Sequence, residues 1–390
     1  MFNKENCIGA DISAKLCGIG LQSPFILTSG PLTSSAEGMI RGQKAGCGAV
    51  VTKTIRLNKA VNPVFHIGKI NSGDTLINCE KWADTDRALW YEREIPMAKK
   101  AGCVVIASVG HTPAEAEAIA ADAEEAGADM LELVSYTEND LLPMLDLAKK
   151  RVEIPVICKL SGNWPDAAGT ATKCLEHGAD GICAIDSLGP ALKIDIYNRR
   201  PEMMGEEGYG WMSGAAMRPI SMRINSEIAR KHPDFMNLYG SGGCITAEDA
   251  IEFLMAGCRC VGVCSVGILH GINHIEKMCY ELSAKLKALG FSNAEEPVGA
   301  ANANFPPCEQ ISKMIFKYDP YMPPGPGDPA GPLKRKCVNC GRCATVCCYD
   351  ARKLDFPYME VDGDKCRYCG LCVSVCPTKS LTANFDLNLS

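Results

Sequence analysis

The stretch AGADMLELV (126–134) has the pattern that decides the fold of this chain. A glycine suited to the C-terminal end of a helix is followed by small residues and then by an apolar run. The same order returns as AGCGAVVTK (45–53), HGADGICAI (177–185) and AGCRCVGVC (256–264). Runs that are apolar at nearly every position are typical of parallel strands buried on both faces. The repeat therefore predicts helices that alternate with parallel strands.

Eight such runs occur in the first 290 residues, and helical periodicity lies between most of them, most clearly in PAEAEAIAADAEEAG (113–127). Eight strands alternating with helices over about 250 residues predict an α/β fold of the (β/α)8 TIM barrel type. An open, doubly wound sheet is the alternative, and it is disfavoured because no G-x-G-x-x-G occurs at a strand–helix junction. The predicted strands are 25–28, 49–53, 104–108, 130–134, 155–160, 181–185, 237–240 and 260–264.

The overall composition is that of a globular protein, with 390 residues, 47% hydrophobic residues and a net charge of −6. The negative charge argues against a nucleic-acid or membrane binder that works through bulk charge. No apolar run approaches the ~18 residues of a membrane-spanning helix, and the N-terminus lacks the apolar core of a signal peptide. With 23 cysteines in the chain, these features predict a reducing, anaerobic cytoplasm as the location.

Nine of the cysteines fall between residues 337 and 376, where the motif C-x2-C-x2-C-x3-C occurs twice. Three thiolates at this spacing bind one [4Fe–4S] cluster, and the fourth ligates the other cluster, as in the bacterial two-cluster ferredoxins that the tail resembles. Structural zinc sites, the alternative, usually have two separate C-x2-C pairs. Cys348 is left over and is predicted to be a core residue. The predicted ligands are Cys337, Cys340, Cys343 and Cys376 for one cluster, and Cys366, Cys369, Cys372 and Cys347 for the other.

Two irregular stretches complete the domain organisation. The proline- and glycine-rich YMPPGPGDPAGP (321–332) is typical of an extended linker. The stretch 187–217 has no strong periodicity and is expected to be a lid or a subunit contact. We predict a barrel over 1–295, a linker over 296–333 and a ferredoxin-like domain over 334–390. Two adjacent clusters can pass electrons from one to the other. The barrel is therefore expected to hold the redox centre that exchanges electrons with them.

Glycine-rich loops after the last two predicted strands indicate where that centre binds. Active sites of TIM barrels lie at the C-terminal ends of the strands, and the loops after strands seven and eight often bind phosphate. Here these loops are GSGG (240–243) and CSVG (264–267). Their backbone N–H groups can approach an anion closely.

Longer motifs occur in order along the chain, namely CGIGLQSPFILTSGPLT (17–33), AVVTKTIRLNK (49–59), INCE (77–80), IPVICKLSGN (154–163), MSGAAMRPI (212–220), GSGGCITAEDAIEFLMAGC (240–258) and VGVCSVGI (261–268). Together they resemble the dihydroorotate dehydrogenase family, in particular the FMN barrel and ferredoxin-like tail of dihydropyrimidine dehydrogenases. The resemblance covers nearly the whole chain. It implies FMN as the cofactor and hydride exchange between flavin N5 and a C–C bond next to a carbonyl of a small ring.

The resemblance also implies roles for individual side chains. Lys53 would lie near the pyrimidine end of the flavin, and Lys159 would reach the ribityl chain and N1/O2 of the ring. For both lysines the alternative is a side chain that extends from the barrel mouth into solvent. The remaining implied cofactor contacts are Ser29 and Gly30 under the ring, Thr54 beside Lys53, Asn78 near flavin or substrate, Asp186 and Ser187 where the family has Asn-Thr, and Gly214, Ser241, Gly242, Gly243, Cys264 and Ser265 at the phosphate.

One catalytic group of the family is missing. The family carries Asn-x-Ser-Cys-Pro after its fourth strand, with the Cys or Ser as the acid/base, whereas this chain has Val134 at the Asn position and Thr137 at the Cys position. Threonine is a poor acid at neutral pH, so pyrimidines are in question as substrates. The other candidate proton donors are Tyr136, whose phenol ordinarily has a pKa near 10, and His111, with Glu138 and Cys79 as further candidates. For each of them a structural role is the alternative: packing at the barrel mouth for Tyr136, a helix entry for His111 and capping of the following helix for Glu138.

The expected function is that of an FMN- and iron–sulfur-dependent oxidoreductase. Electrons would pass from a ferredoxin or an NAD(P)H-oxidising partner subunit through two [4Fe–4S] clusters to FMN. Hydride would then go to a C=C bond of a small carbonyl-conjugated or cyclic substrate, and the reverse direction is equally compatible. An electron-transfer subunit without its own substrate is the alternative, since a relay needs no proton donor. The resemblance further implies a homodimer or a larger assembly.

Overall fold

The computed structural model describes residues 2–70, 73–305, 315–320, 337–355, 358–367, 369–381 and 383–388. The chain divides into two compact units, Met1–Asn304 and Phe305–Ser390. The stretch 321–332, predicted as a linker, lies outside the described residues. Among the described residues, no helix is both long and apolar enough to cross a membrane.

Eight strands of the first unit form a closed barrel in the order β10-β15-β16-β3-β4-β7-β8-β9, and every neighbouring pair is parallel. The described strands of this unit are β1 (Ala14–Leu16), β2 (Ile19–Leu21), β3 (Phe25–Leu27), β4 (Ala49–Val51), β5 (Ile67–Ile70), β6 (Thr75–Asn78), β7 (Val105–Gly110), β8 (Met130–Val134), β9 (Val156–Leu160), β10 (Gly181–Ala184), β11 (Leu188–Ala191), β12 (Ile194–Asp195), β13 (Arg200–Pro201), β14 (Gly210–Gly214), β15 (Leu238–Gly240) and β16 (Cys260–Val263).

The closed barrel confirms the predicted TIM barrel and excludes the open sheet. Its eight strands are the eight predicted from the sequence, and their ends differ from the predicted ones by at most two residues. Alternate strand residues fill the barrel interior, where Ile26, Val51, Ile106 and Ile157 are fully buried in one apolar cluster. The hairpin of β1 and β2 contributes Leu16 to the same cluster.

Helices surround the barrel. Their starts follow local capping chemistry, because Thr112 accepts a hydrogen bond from the backbone N–H of Glu115 and Thr246 forms a capping box with Asp249. A π-helical turn, Trp90–Glu94, joins the second and third helices. The described helices of this unit are α1 (Ala36–Lys44), α2 (Arg87–Leu89), α3 (Ile95–Lys100), α4 (Pro113–Glu125), α5 (Glu138–Ala148), α6 (Ala167–Glu176), α7 (Arg218–Lys231), α8 (Ala247–Met255), α9 (Ser265–His270) and α10 (His274–Ala288).

An antiparallel sheet in the order β11-β14-β6-β5 lies over the C-terminal end of the barrel, and we call it the roof sheet. The irregular stretch 187–217 supplies two of its strands and also the separate hairpin of β12 and β13. In the central pair, Trp211 lies opposite Asn78 and Gly214 lies opposite Thr75. Part of the stretch that lacked periodicity is therefore short strand.

The second unit contains two antiparallel strand pairs, β17 with β20 and β18 with β19. Its two short helices each follow a glycine with positive φ, 69° at Gly341 and 77° at Gly370, at matching places in the two cysteine motifs. The described elements are β17 (Ile315–Pro320), α11 (Arg342–Thr345), β18 (Arg352–Asp355), β19 (Tyr358–Val361), α12 (Leu371–Ser374) and β20 (Ala383–Asn388). Strand β17 falls within the range predicted as linker.

Candidate active site

A cavity of about 410 Å3 lies at the C-terminal ends of the barrel strands. Residues at or after the ends of β3, β4, β8, β9, β10, β15 and β16 form its floor, and the roof sheet covers it. This is the end of a TIM barrel at which active sites lie. All the residues expected to bind the cofactor line this cavity, namely Ser29, Gly30, Lys53, Thr54, Asn78, Lys159, Asp186, Ser187, Gly214, Ser241, Gly242, Gly243, Cys264 and Ser265.

Two buried lysines on the floor are each paired with carboxylates. The Nζ atom of Lys53 lies 2.6 Å from Oε2 of Glu80. The Nζ atom of Lys159 lies 3.2 Å from Oδ1 of Asp186 and 3.8 Å from Oε1 of Glu132. The lysines are only 7% and 6% exposed, so neither extends into solvent.

Lys159 carries its positive charge at physiological pH. Burial opposes the charged form of the amine, but the carboxylates of Asp186 and Glu132 raise the pKa of Lys159 well above its usual value. A fixed cation in a dry site interacts strongly with any negative charge that develops beside it.

Two glycines in the cavity lining, Gly242 and Gly243, allow a close approach of the backbone. Gly242 and Gly243 have φ values of 112° and 94°, which residues with a side chain rarely adopt. A Cβ atom on Gly243 would lie 2.9 Å from the backbone N of Arg218 and 2.9 Å from the carbonyl O of Gly214. The nearby hydroxyl of Ser265 donates to Ser213 over 3.1 Å. Bare backbone and hydroxyl groups together suit an anionic group such as a phosphate.

Small uncharged groups make up the rest of the floor. The hydroxyl of Thr54 lies 3.3 Å from that of Ser29 and 3.0 Å from that of Ser108. A Cβ atom on Gly30 would lie 2.8 Å from Sγ of Cys264. Burial raises the pKa of Cys264 to about 11, so this side chain is a neutral thiol at neutral pH.

Four rings, which we call the aromatic wall, stand at one side of the cavity: Trp82, His111, Tyr136 and Trp211. The ring of Tyr136 stacks on Trp82 with centroids 4.5 Å apart and on Trp211 with centroids 5.9 Å apart. His111 lies against Trp82 at 4.2 Å. The guanidinium carbon of Arg56 lies 4.2 Å from the Trp82 centroid, a distance at which cation–π attraction operates.

Tyr136 is the one candidate proton donor that lines the cavity. Its side chain is 48% exposed. Partial burial and the nearby carboxylate of Asp186 raise the pKa of Tyr136 to about 12. The phenol therefore keeps its proton at neutral pH.

His111 and Thr137 do not line the cavity. The backbone N–H of His111 donates to Glu115 over 2.8 Å, and burial together with Arg56 lowers the pKa of the His111 ring. The hydroxyl of Thr137 donates to Asp140 in the first turn of α5. Both residues follow barrel strands as predicted, and helices begin within two residues of them. The His111 ring packs against Trp82 and Tyr136, which line the cavity, but it does not line the cavity itself.

Four residues beside the cavity were missed by the sequence analysis: Arg56, Glu80, Trp82 and Trp211. Each lies within or next to a motif that was recognised. Glu80 ends INCE (77–80), Trp82 follows it by two residues, and Trp211 precedes MSGAAMRPI (212–220). For Trp82 and Trp211, the presence of a large aromatic residue beside a recognised motif was the sequence signal that could have identified them.

A second cavity of about 320 Å3 adjoins the first and shares Glu80, Lys81, Tyr136 and Trp211 with it. The turn 205–209 forms its outer side. The Tyr136–Trp211 stack thus borders both cavities, and a substrate that fills both would be longer than one ring.

Two small cavities in the second unit are each lined by four cysteines. In each set, three thiols of one motif meet the last thiol of the other motif. Backbone N–H groups, that of Tyr349 above all, lower the pKa of Cys347 and favour the thiolate form that binds metal. The first set is Cys337, Cys340, Cys343 and Cys376, and the second is Cys347, Cys366, Cys369 and Cys372.

Cys348 belongs to neither set and is exposed, so the prediction of a core position for it is wrong. No three His, Cys, Asp or Glu side chains among the described residues lie close enough to bind one metal ion. The thiolates of a [4Fe–4S] cluster bind different iron atoms and stand further apart than the ligands of a single ion. The four thiols in each of the two cysteine sets therefore match the donors of such a cluster.

Comparison with known proteins agrees with the architecture. A family model described as dihydroorotate dehydrogenase matches residues 103–286, and one described as a 4Fe-4S binding domain matches residues 359–382. The chain is 31% identical over 313 residues to the dihydroorotate dehydrogenase B (NAD(+)) catalytic subunit of Methanothermobacter thermautotrophicus, which covers 75% of this chain and 98% of the relative.

Two further relatives are dihydropyrimidine dehydrogenases. The NAD-dependent dihydropyrimidine dehydrogenase subunit PreA of Escherichia coli is 30% identical over 365 residues, which covers 87% of this chain and 86% of the relative. The chloroplastic dihydropyrimidine dehydrogenase (NADP(+)) of Arabidopsis thaliana is 28% identical over 324 residues, which covers 73% of this chain and 76% of the relative. The resemblance inferred from the motifs is confirmed: the chain belongs to the dihydroorotate dehydrogenase family of flavin-dependent oxidoreductases that act on CH–CH bonds.

Proposed function

We propose that this chain binds FMN in the barrel and two [4Fe–4S] clusters in the tail, and that it reduces or oxidises a C–C bond next to a carbonyl or in a small ring. The observation that carries the proposal is that one cavity at the strand ends is lined by every residue expected to bind the cofactor. A family member needs such a cavity to hold both a flavin and a substrate.

The residues present fit FMN. Gly214, Ser241, Gly242, Gly243 and Ser265 offer the close backbone approach and hydroxyl groups that a phosphate needs. At the other edge, the buried cations would hold the ring, with Lys159 and Lys53 beside its polar side and Gly30 leaving room beneath it. When bound, FMN supplies hydride chemistry at N5.

Tyr136 is the residue we propose as the proton donor. It lines the cavity, and with a pKa of about 12 it keeps a proton on its hydroxyl oxygen. It would donate that proton to the substrate carbon, or accept one in the oxidative direction. Trp82 and Trp211 would hold the ring in position on either side. His111 and Thr137, which lie outside the cavity lining, are less suited to the role.

The open cavity favours an enzyme over an electron relay. A relay needs only a covered flavin, whereas this chain keeps an aromatic wall and a second cavity of about 320 Å3 beside the first. The two cavities support a substrate longer than one pyrimidine ring. The absence of the family's catalytic Cys at Thr137 is a second reason to look beyond pyrimidines.

Electrons would arrive through the tail. The two cysteine sets support one [4Fe–4S] cluster each, with the predicted ligands. The names of the relatives include NAD and describe subunits, and this chain has no nicotinamide-binding fingerprint. We therefore propose that a ferredoxin or an NAD(P)H-oxidising partner subunit is the electron donor.

We further propose a homodimer or larger assembly and a reducing cytoplasm as the location. The hairpin of β12 and β13 exposes Ile194, Ile196 and Tyr197, and this supports a homodimer or larger assembly. The large number of cysteines and the proposed clusters support a reducing cytoplasm.

Anaerobic purification of the full chain, followed by flavin and iron assays, tests the cofactors. We expect one FMN and about eight iron atoms per chain, four for each cluster. The dithionite-reduced protein is then mixed with uracils, orotate and longer unsaturated carbonyl compounds, and reoxidation is followed by absorbance. Protein without flavin or iron would contradict the cofactor proposal. Loaded protein that no compound reoxidises would favour the relay instead.

A further inference from the structure

A carboxylate lies buried in the barrel interior, below the cavity. Glu132 is the middle residue of β8 and is 0% exposed. The hydroxyl of Tyr239, also fully buried, donates to its Oε2 atom. Its Oε1 atom accepts no hydrogen bond from the described residues, and the nearest cation is Nζ of Lys159 at 3.8 Å.

Fold stability alone does not account for this residue. Burying a carboxylate is costly unless it is well paired, and an apolar side chain of similar volume is often as good or better for stability. Other interior positions of the barrel hold apolar side chains, for example Ile106 and Ile157. A charged group in this place is therefore best explained by what its charge does to its neighbours.

The neighbour with the strongest link to the cavity is Lys159. Two carboxylates, Glu132 from inside the barrel and Asp186 from the mouth, face this one ammonium. Cys183 and Tyr239 complete the surroundings and are neutral, because burial raises the pKa of each well above its usual value. This group of side chains thus holds two carboxylates against one ammonium.

We propose that Glu132 is a positioning residue that offsets the charge of Lys159 from inside the barrel and so lowers the reduction potential of the flavin. The inference rests on the proposed function, in which Lys159 holds the flavin ring. A flavin gains negative charge when it is reduced, so an uncompensated cation beside it favours reduction. The carboxylate of Glu132 offsets part of the stabilisation that Lys159 gives to the reduced flavin. A lower potential favours passing electrons on to a substrate, which is the reductive direction.

The test compares wild type, Glu132→Gln and a matched control, Glu117→Gln. Glu117 also forms a carboxylate–cation pair, 2.6 Å from Arg151, but on the exposed surface of α4. Each full-length protein is purified anaerobically, its FMN content is measured, and the flavin is equilibrated with redox dyes of known potential. We expect the reduced-to-oxidised ratio of Glu132→Gln at a fixed potential to rise at least tenfold, about 30 mV for a two-electron couple. Glu117→Gln should match wild type.

Glu132→Asp covers the case in which the Gln variant does not fold. Aspartate keeps the carboxylate on a side chain that is one methylene shorter. We therefore expect the reduction potential of the flavin to rise, but by less than in Glu132→Gln. Loaded variants with the potential of wild type, or with a lower one, would overturn the inference and leave the proposed function standing. Wild-type protein without flavin would overturn both.

Discussion

The ion pair between Lys53 and Glu80 joins the barrel floor to the segment that follows strand β6 of the roof sheet. Lys53 follows β4 and Glu80 follows β6, and their charged atoms lie 2.6 Å apart with both side chains largely buried. Ion pairs of this kind depend on both partners, because either one alone is a buried charge without compensation. The pair thus has a structural role in addition to the proposed contact of Lys53 with the flavin.

The variant Lys53→Met should therefore lose both stability and flavin. Leaving Glu80 unpaired should lower the free energy of unfolding by about 3 kcal/mol, at the lower end for a broken buried pair. The double variant Lys53→Met/Glu80→Gln should recover much of this stability but not the flavin content. Chemical denaturation and flavin absorbance separate the two effects. Full recovery of flavin in the double variant would show that Lys53 acts only through its ion pair.

Removing the hydroxyl of Tyr136 should slow the chemical step while leaving the fold intact. General acid catalysis typically contributes about 10²–10⁴-fold to a rate, so Tyr136→Phe should reduce the rate of flavin reoxidation by substrate by that order. Reduction by dithionite and FMN content should not change. Tyr280→Phe, on α10 and outside the lining of both cavities, is the control and should keep the wild-type rate. An unchanged rate in Tyr136→Phe would exclude this residue as the donor.

The pH dependence of the same step distinguishes the two candidate acids. A donor must be protonated to act. Because burial and Asp186 raise the pKa of Tyr136 to about 12, the rate should be level through neutral and moderately alkaline pH and fall only as pH approaches that value. The pKa of His111 is lowered from its ordinary value by burial and by Arg56. If His111 were the donor, the rate would already decline as pH rises through the acid range. Single-turnover reoxidation in overlapping buffers measures the profile.

Cysteine variants test the exchange of ligands between the two motifs. Cys376 belongs to the second motif but lines the cavity of the first, with Cys337, Cys340 and Cys343. Cys376→Ser should therefore perturb the cluster held by the first motif, and Cys347→Ser the cluster held by the second. Electron paramagnetic resonance of the reduced protein and iron analysis report on this. Cys348→Ser is the control and should keep both signals. If Cys376→Ser altered only the cluster at Cys366–Cys372, the ligand assignment would be wrong.

The barrel and the cysteine sets were predictable because local sequence determines them. In AGADMLELV (126–134), the helix-ending glycine and the buried strand lie side by side in the chain. Each cysteine motif places three ligands of one cluster close together in sequence, and the repeated motif supplies the fourth. The roof sheet was not predictable. Its central pair joins Asn78 to Trp211, which are far apart in sequence, and its strands are too short to establish a period.

The positions of the catalytic candidates show the same limit. Sequence alone places His111, Tyr136 and Thr137 after strand ends, but not the direction in which each side chain points. The ring of His111 packs on Trp82 without lining the cavity, and the hydroxyl of Thr137 is bonded to Asp140 in the helix that follows. Tyr136 instead stacks between Trp82 and Trp211, two residues that only the folded chain brings together.

Gly243 offers a test of the phosphate edge that is independent of charge. Its φ of 94° is unfavourable for a residue with a side chain by about 1–2 kcal/mol, and a Cβ atom there would lie 2.9 Å from backbone atoms of Arg218 and Gly214. Gly243→Ala must therefore shift the loop, and we expect FMN to bind about tenfold more weakly, as 1.4 kcal/mol would produce. Gly20→Ala is the matched control, because nothing lies within 4 Å of its added Cβ. Fluorescence titration of the deflavinated proteins with FMN measures both affinities. Equal affinities in the two variants would mean that the phosphate does not bind at this loop.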